Sequence, residues 1–147
     1  MKRSLLVLLS PLLLAGCINQ SASYYIDGPN HSLTLRAEQD YFWDKQVLLK
    51  AVAAHMPDCQ RLFVFTSLAP ADLIVDLFGA GENVYSLRAG AQVIRVDTTG
   101  CTRLTDPTAA ELGQKLGTFH LDAQQKMVFD KEAGAPAPAP AAPPAAN

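Results

Sequence analysis

Apolar and polar side chains alternate along several short segments of this chain, and a period of two is typical of half-buried β-strands. The clearest case is residues 32–38, where Leu33, Leu35 and Ala37 alternate with mostly polar side chains. Other short segments rich in β-favouring side chains follow at close spacing. They are residues 61–67, 73–78, 84–88, 93–96, 115–121 and 126–130. Short turns, several of them containing glycine, separate these segments, as in a meander of β-hairpins.

Residues 44–56 fit two interpretations, because their apolar side chains are nearly continuous. Leu48, Val52 and Met56 recur every fourth residue, and Asp44 could cap a helix that begins there. However, Pro57 ends the segment and strand-like segments lie on both sides. We expect a buried strand, with a helix as the alternative.

A short helix is predicted at residues 108–112. Asp106 could cap it, Pro107 suits its first position, and Gly113 follows it. Together with the strands, this predicts a mainly β protein: a small antiparallel meander that forms a sandwich or barrel, with at most one or two short helices.

The start of the chain follows a different pattern, because Lys2 and Arg3 precede a run of almost entirely apolar residues that ends at Leu14. This run of about eleven residues is shorter than the ~20 that a membrane-spanning helix needs, and it contains Pro11. A basic start followed by a short apolar core is typical of an export signal. We therefore predict that residues 1–16 are a cleaved signal peptide.

The end of that run, Leu14-Ala15-Gly16-Cys17, resembles the lipobox of bacterial lipoproteins. The resemblance implies that Cys17 becomes the first residue of the mature chain and carries acyl groups such as palmitate. Ile18 follows, whereas lipoproteins held in the inner membrane often carry Asp there, so the resemblance favours the periplasmic face of the outer membrane. The inner membrane and the cell surface are the alternatives, and an ordinary signal peptide with a chance cysteine is another. The body of the chain is similar to small proteobacterial lipoproteins, which implies no particular activity.

Four parts of the chain are predicted. Residues 1–16 are the signal peptide, and residues 17–23 are the lipidated cysteine with a short polar linker. Residues 24–131 form the β-rich globular domain. Residues 132–147 consist mainly of alanine and proline, and the prolines exclude a regular helix, so we expect a disordered tail.

Cysteine counting predicts one disulfide. If Cys17 is lipidated, Cys59 and Cys101 remain as an even pair in an oxidising compartment. The chain has no Cys-x-x-Cys pair and no cysteines or histidines at zinc-binding spacing. We therefore expect a structural disulfide, with no metal and no cofactor.

The charge balance disfavours nucleic acid as a partner. The full chain has a formal net charge of −2, and loss of Lys2 and Arg3 with the signal peptide makes it about −4. No basic run is present, whereas nucleic-acid binding needs clustered positive charge.

Familiar catalytic patterns are absent from the sequence, including a Gly-rich phosphate loop, His-Glu-x-x-His and Gly-x-Ser-x-Gly. His31, His55 and His120 lie far apart along the chain, and we interpret them as ordinary surface or boundary residues. Asp72 and Asp76 would share one face of a strand, but their neighbours suggest solvent. We expect no enzymatic activity.

Tyr41, Phe42 and Trp43 form the densest aromatic group in the chain. On a strand, Tyr41 and Trp43 would face one side and Phe42 the other, which would expose one or two of them to a partner; alternatively, they cap the core. The sequence thus predicts a membrane-anchored envelope lipoprotein that is a non-enzymatic binding or accessory protein with an envelope protein partner. A module similar in architecture to lysozyme inhibitors is the alternative, and a small hydrolase is a weaker one.

Overall fold

A computed structural model describes residues 17–135 and contains ten β-strands. The strands are β1 Asn19–Tyr25, β2 His31–Glu38, β3 Val47–His55, β4 Cys59–Leu68, β5 Ile74–Gly81, β6 Val84–Ala89, β7 Gln92–Asp97, β8 Thr102–Leu104, β9 Gln114–Leu121 and β10 Met127–Lys131. Two 3₁₀ turns, Pro70–Asp72 and Ala109–Glu111, are the helical elements of this part of the chain.

The strands form two antiparallel sheets. The first has four strands in the order β1-β2-β3-β4, and the second has six in the order β10-β9-β5-β6-β7-β8. Sequential hairpins build the first sheet, and the chain then crosses through the Pro70–Asp72 turn to β5 in the middle of the second sheet. After β8, it returns to pair β9 with the free side of β5. The predicted mainly β, antiparallel fold is confirmed.

The core lies between the two sheets, because alternate residues of each strand point inward. In the first sheet, the fully buried side chains include Leu33, Leu35 and Leu49, and in the second they include Val75 and Leu87. Both sets belong to one contiguous cluster. The period of two at Leu33, Leu35 and Ala37 therefore identified the buried face of β2.

Aromatic packing closes one side of the sandwich, where β1 meets β10. The ring of Phe129 lies 5.4 Å from Tyr24 and 4.6 Å from Phe119, measured between ring centroids. The absence of a side chain at Gly117 permits this packing, because a Cβ atom there would lie 2.4 Å from the Phe129 ring. The second sheet thereby folds onto the first at this side.

The ambiguous segment at residues 44–56 contains strand β3, which pairs with β2 on one side and β4 on the other. Its continuous apolar character reflects its central position, since its outward-facing side chains are also half-buried. The helix alternative is wrong. The helix predicted at residues 108–112 is reduced to the turn Ala109–Glu111, which Thr108 caps in place of Asp106.

The predicted linker is also wrong, because Asn19–Tyr25 is strand β1 and pairs with β2 along its whole length. Its polar side chains suit the outer surface of an edge strand, and the Ser23 and Thr34 hydroxyls lie 2.7 Å apart across the pair. Only Cys17 and Ile18 of the described chain precede β1.

Residues 132–135, assigned to the tail, follow β10 directly and are held against the domain. The Glu132 N–H donates to the Leu116 carbonyl at 2.8 Å, and Ala135 packs against the core. Residues 136–147 and the predicted signal peptide, residues 1–16, lie outside the described residues. Within residues 17–135, no helix is long and apolar enough to cross a bilayer.

Candidate functional site

The three aromatic residues lie on the loop between β2 and β3, and not on a strand as predicted. Tyr41, Phe42 and Trp43 are 56%, 65% and 63% exposed. All three rings therefore face solvent, where a strand would have exposed one or two, and the alternative that they cap the core is wrong. We refer to residues 39–46 as the aromatic loop.

The three rings form a compact cluster on the surface. Tyr41 stacks on Trp43 with ring centroids 4.9 Å apart and planes 7° apart. Phe42 meets Trp43 edge to face at 4.7 Å. Such arrangements are the preferred geometries of aromatic pairs. The cluster is held together by its own contacts while its outer surface remains open.

Hydrogen bonds close the aromatic loop around these rings. The Asp44 N–H donates to the Tyr41 carbonyl at 3.0 Å, and the Asp44 carboxylate accepts the Tyr41 N–H at 3.2 Å. The Gln39 side-chain amide donates to the Asp44 carbonyl. An aspartate that bonds nearby backbone N–H groups favours a turn over a strand, which explains why this β-favouring sequence forms a loop.

The aromatic loop lies beside the predicted lipidation site. Cys17 is exposed and forms no disulfide. The Gln39 N–H donates to the Ile18 carbonyl at 2.8 Å, and the Ile18 N–H donates to the Gln39 side-chain oxygen at 3.3 Å. These bonds extend the β1–β2 ladder by one step, so Cys17 and the aromatic loop share one end of the first sheet. We call this the anchor end, after the lipidation predicted at Cys17.

The opposite end of the same sheet carries the disulfide. Cys59, the first residue of β4, is bonded to Cys101 in the turn after β7, with their Cα atoms 6.0 Å apart. The predicted disulfide is confirmed, and it joins the first sheet to the second. We call this the disulfide end.

Two of the three histidines meet at the disulfide end. His31 and His55 are paired across β2 and β3, and their rings stack with centroids 4.2 Å apart. This pair was not predicted, because the two histidines lie far apart along the chain. Its only signal was the β2–β3 register, which places the first residue of one strand opposite the last of the other.

Hydrogen bonds orient the ring of His31, which is 7% exposed. Its Nε2 atom lies 2.9 Å from the Thr98 hydroxyl, and that hydroxyl donates to the Asn83 carbonyl at 3.1 Å. Because a hydroxyl has one proton to donate, Nε2 of His31 is the donor to Thr98. The bond ties β2 to the segment that follows β7.

The environment of His31 opposes a positive charge. Burial lowers its pKa below the ordinary 6.5, and the neighbouring His55 lowers it further, while Asp27 acts in the opposite direction. Nδ1 of His55 lies 3.3 Å from the Thr99 carbonyl, so His55 also contacts the turn that carries Cys101. Both histidines thus contact the segment between β7 and β8 at the disulfide end.

A cleft of about 810 Å³ lies along β5, β9 and β10. It contains His120, whose Nε2 atom is 3.7 Å from the exposed Asp130 carboxylate. The Thr118 hydroxyl in the same cleft donates to Asp76 at 3.0 Å, and not to the histidine. Among residues 17–135, no three His, Cys, Asp or Glu side chains are placed to hold a metal ion.

Asp72 and Asp76 do not form a pair. Asp72 is exposed on the first 3₁₀ turn. The Asp76 carboxylate lies 2.8 Å from Arg88 and 2.9 Å from Lys115. Burial alone would raise its pKa, but the hydrogen bonds from Arg88, Lys115 and Thr118 outweigh burial and lower it. Asp76 is therefore part of an ion-pair network on the outer surface of the second sheet.

Comparison of this chain with protein-family models, with curated proteins and with solved structures finds no match.

Proposed function

We propose that this protein is a lipid-anchored envelope protein, acylated at Cys17, that acts as a non-enzymatic binding or accessory protein. One observation carries the proposal: the cysteine of the lipobox-like sequence is exposed and stands just ahead of the first strand. Acyl chains at this position could enter a bilayer without disturbing the core.

The chemistry of the anchor supports stable membrane attachment. Each buried methylene group contributes about 0.8 kcal/mol, and a single acyl chain holds a protein only marginally. The lipobox resemblance implies a diacylglyceryl group, with or without a further acyl chain on the amino group. Two or three chains would keep the domain at the membrane.

Edge strand β4 is the surface that we propose for a protein partner. Leu62 and Val64 point outward from it and are 45% and 58% exposed. A long edge strand with exposed apolar side chains can pair with an added strand of a partner. The proposed anchor leaves this surface accessible because Leu62 and Val64 lie near the middle of β4, which begins at the disulfide end with Cys59.

Metabolic labelling tests the anchor. Cells that express the full chain are fed an alkyne-tagged palmitate, and the label on the purified protein is quantified. We expect label on the wild-type protein and none on Cys17→Ser. The double variant Cys59→Ser/Cys101→Ser is the matched control and should keep the label. Label on Cys17→Ser, or an unlabelled wild-type protein, would contradict the proposal.

In-cell crosslinking tests the partner surface. Crosslinked cells are extracted with detergent, and proteins that copurify with the full chain are identified by mass spectrometry. We expect one abundant envelope protein, lost in Leu62→Ser/Val64→Ser and retained in Tyr25→Ser, which alters an exposed aromatic residue on β1. An unchanged yield with the β4 variant would exclude this surface.

A further inference from the structure

We propose that the aromatic loop is a second membrane contact, in which Tyr41, Phe42 and Trp43 lie in the lipid–water interface of the bilayer that holds Cys17. The inference rests on the proposed acylation of Cys17. It identifies the partner of the exposed aromatic cluster as lipid and leaves β4 for a protein partner.

The aromatic loop lies close to Cys17. The Gln39 N–H bonds to the Ile18 carbonyl, Cys17 precedes Ile18, and Tyr41 is two residues beyond Gln39. Adding one peptide step, one paired-strand spacing and two loop residues gives at most about 17 Å between the Cα atoms of Cys17 and Tyr41. Acyl chains on Cys17 therefore bring the loop to the membrane surface, since no flexible linker separates them.

The side chains of the aromatic loop suit a membrane interface. Tryptophan and tyrosine are enriched at membrane–water interfaces, because each has an apolar ring with a polar group at one edge. Phe42, the most exposed of the three, is the purely apolar ring and would lie deepest. Hydration of three exposed aromatic side chains is unfavourable in free energy, and burial of the rings in the interface would remove this unfavourable contribution.

The conformation of the aromatic loop is also preorganised for this contact. The bonds between Asp44 and Tyr41 and from the Gln39 side chain fix the backbone, and the rings are stacked before any membrane is present. Little conformational freedom is therefore lost on binding, which favours association.

The charges near the loop indicate which lipid headgroups it can contact. Glu38 is paired with Lys50 and Arg36, whereas Asp40 and Asp44 leave the loop acidic apart from Lys45. Anionic headgroups would repel this surface. The contact must therefore depend on apolar burial, so we expect it with zwitterionic phosphatidylcholine and expect salt to affect it little.

Two contacts at one end would orient the domain. Strand β1 rises about 3.3 Å per residue, so its seven residues would place the disulfide end roughly 20 Å farther from the bilayer. In this orientation, the strands of the first sheet extend away from the membrane surface.

Trp43 is the only tryptophan in the chain, so its fluorescence reports directly on the loop. The test uses the full-length, lipidated protein, reconstituted into phosphatidylcholine vesicles with or without bromine on the acyl chains. We expect loss of most Trp43 emission in brominated vesicles, a shift to shorter wavelength in unbrominated ones, and protection from aqueous iodide. Emission that is insensitive to bromine and fully quenched by iodide would overturn the inference.

Variants separate the loop from the anchor. Tyr41→Ser/Phe42→Ser keeps the probe and should reduce bromine quenching, whereas Tyr25→Ser, at the other end of β1, should not. Equal quenching in both variants would contradict the inference. If the protein is acylated and floats with the vesicles while Trp43 stays in water, only the inference fails. If mass spectrometry finds no acyl group on Cys17, the proposed anchor and the inference both fail.

Discussion

The two ends of the first sheet are built in opposite ways. At the disulfide end, a covalent bond, a buried histidine and a buried threonine join the first sheet to the second. At the anchor end, the aromatic loop is closed by its own hydrogen bonds and directs three large apolar side chains into solvent. One end stabilises the domain, while the other presents a surface.

Within the first sheet, the residues that stabilise the fold are therefore different from those that present a binding surface. Contacts between the sheets at the disulfide end stabilise the folded state. Removing them should lower the free energy of unfolding. The exposed rings of the aromatic loop contribute little to the fold, so changing them should affect binding alone. Unfolding measurements on variants of both ends test this division.

The largest effect should come from the disulfide. Its cysteines are 42 residues apart in sequence, and loss of such a crosslink is expected to lower the free energy of unfolding by about 4 kcal/mol through the entropy of the unfolded chain. Cys59→Ser/Cys101→Ser should show this loss in urea unfolding of the purified protein. A loss below ~1 kcal/mol would mean that the other contacts between the sheets already hold this end.

Thr98→Val should have the next largest effect. Thr98 is fully buried, and valine would leave the Nε2–H group of His31 without an acceptor, at a cost of about 1–3 kcal/mol. Thr99→Val is the matched control, because Thr99 is exposed and bonds through its backbone. Equal stabilities of the two variants in urea unfolding would show that the His31–Thr98 bond does not support this end.

A smaller effect is expected from pH. The pKa of His31 is lowered in the folded protein by burial and by His55, against the opposing effect of Asp27. The unfolded chain therefore binds this proton first, and the free energy of unfolding should fall as the pH drops below about 6.5 toward the folded-state pKa. His31→Gln should reduce this dependence when unfolding is followed between pH 7 and pH 5. An unchanged pH profile in that variant would assign the dependence to other groups.

The smallest effect on stability should come from the aromatic loop. Tyr41→Ser/Phe42→Ser/Trp43→Ser alters three exposed side chains, so the free energy of unfolding should change by no more than about 0.5 kcal/mol. Circular dichroism in urea can measure this. A loss as large as that of Thr98→Val would show that the rings support the fold, and the division between the two ends would not hold.

The strands that the sequence predicted are those with one buried face. Strand β2 alternates clearly because Leu33, Leu35 and Ala37 point into the core. Strand β1 was not predicted. Its outward-facing residues are polar because it is an edge strand, and its sequence therefore resembles that of a linker. Strand β8 was not predicted because its three residues, Thr102–Leu104, are all exposed.

The functional surfaces were predictable to different degrees. Counting cysteines identified the disulfide, because the pairing followed once Cys17 was set aside. The aromatic residues were identified, but their propensity favoured a strand and the turn formed by Asp44 was not recognised. The histidine pair could not be predicted, since it depends on the register between β2 and β3.

The most direct test of the proposed acylation is mass spectrometry of the N-terminal peptide of the full chain purified from the membrane fraction. We expect that this peptide begins at Cys17 and that its mass includes a diacylglyceryl group on the sulfur. A peptide that begins upstream of Cys17, or that carries an unmodified cysteine, would contradict it.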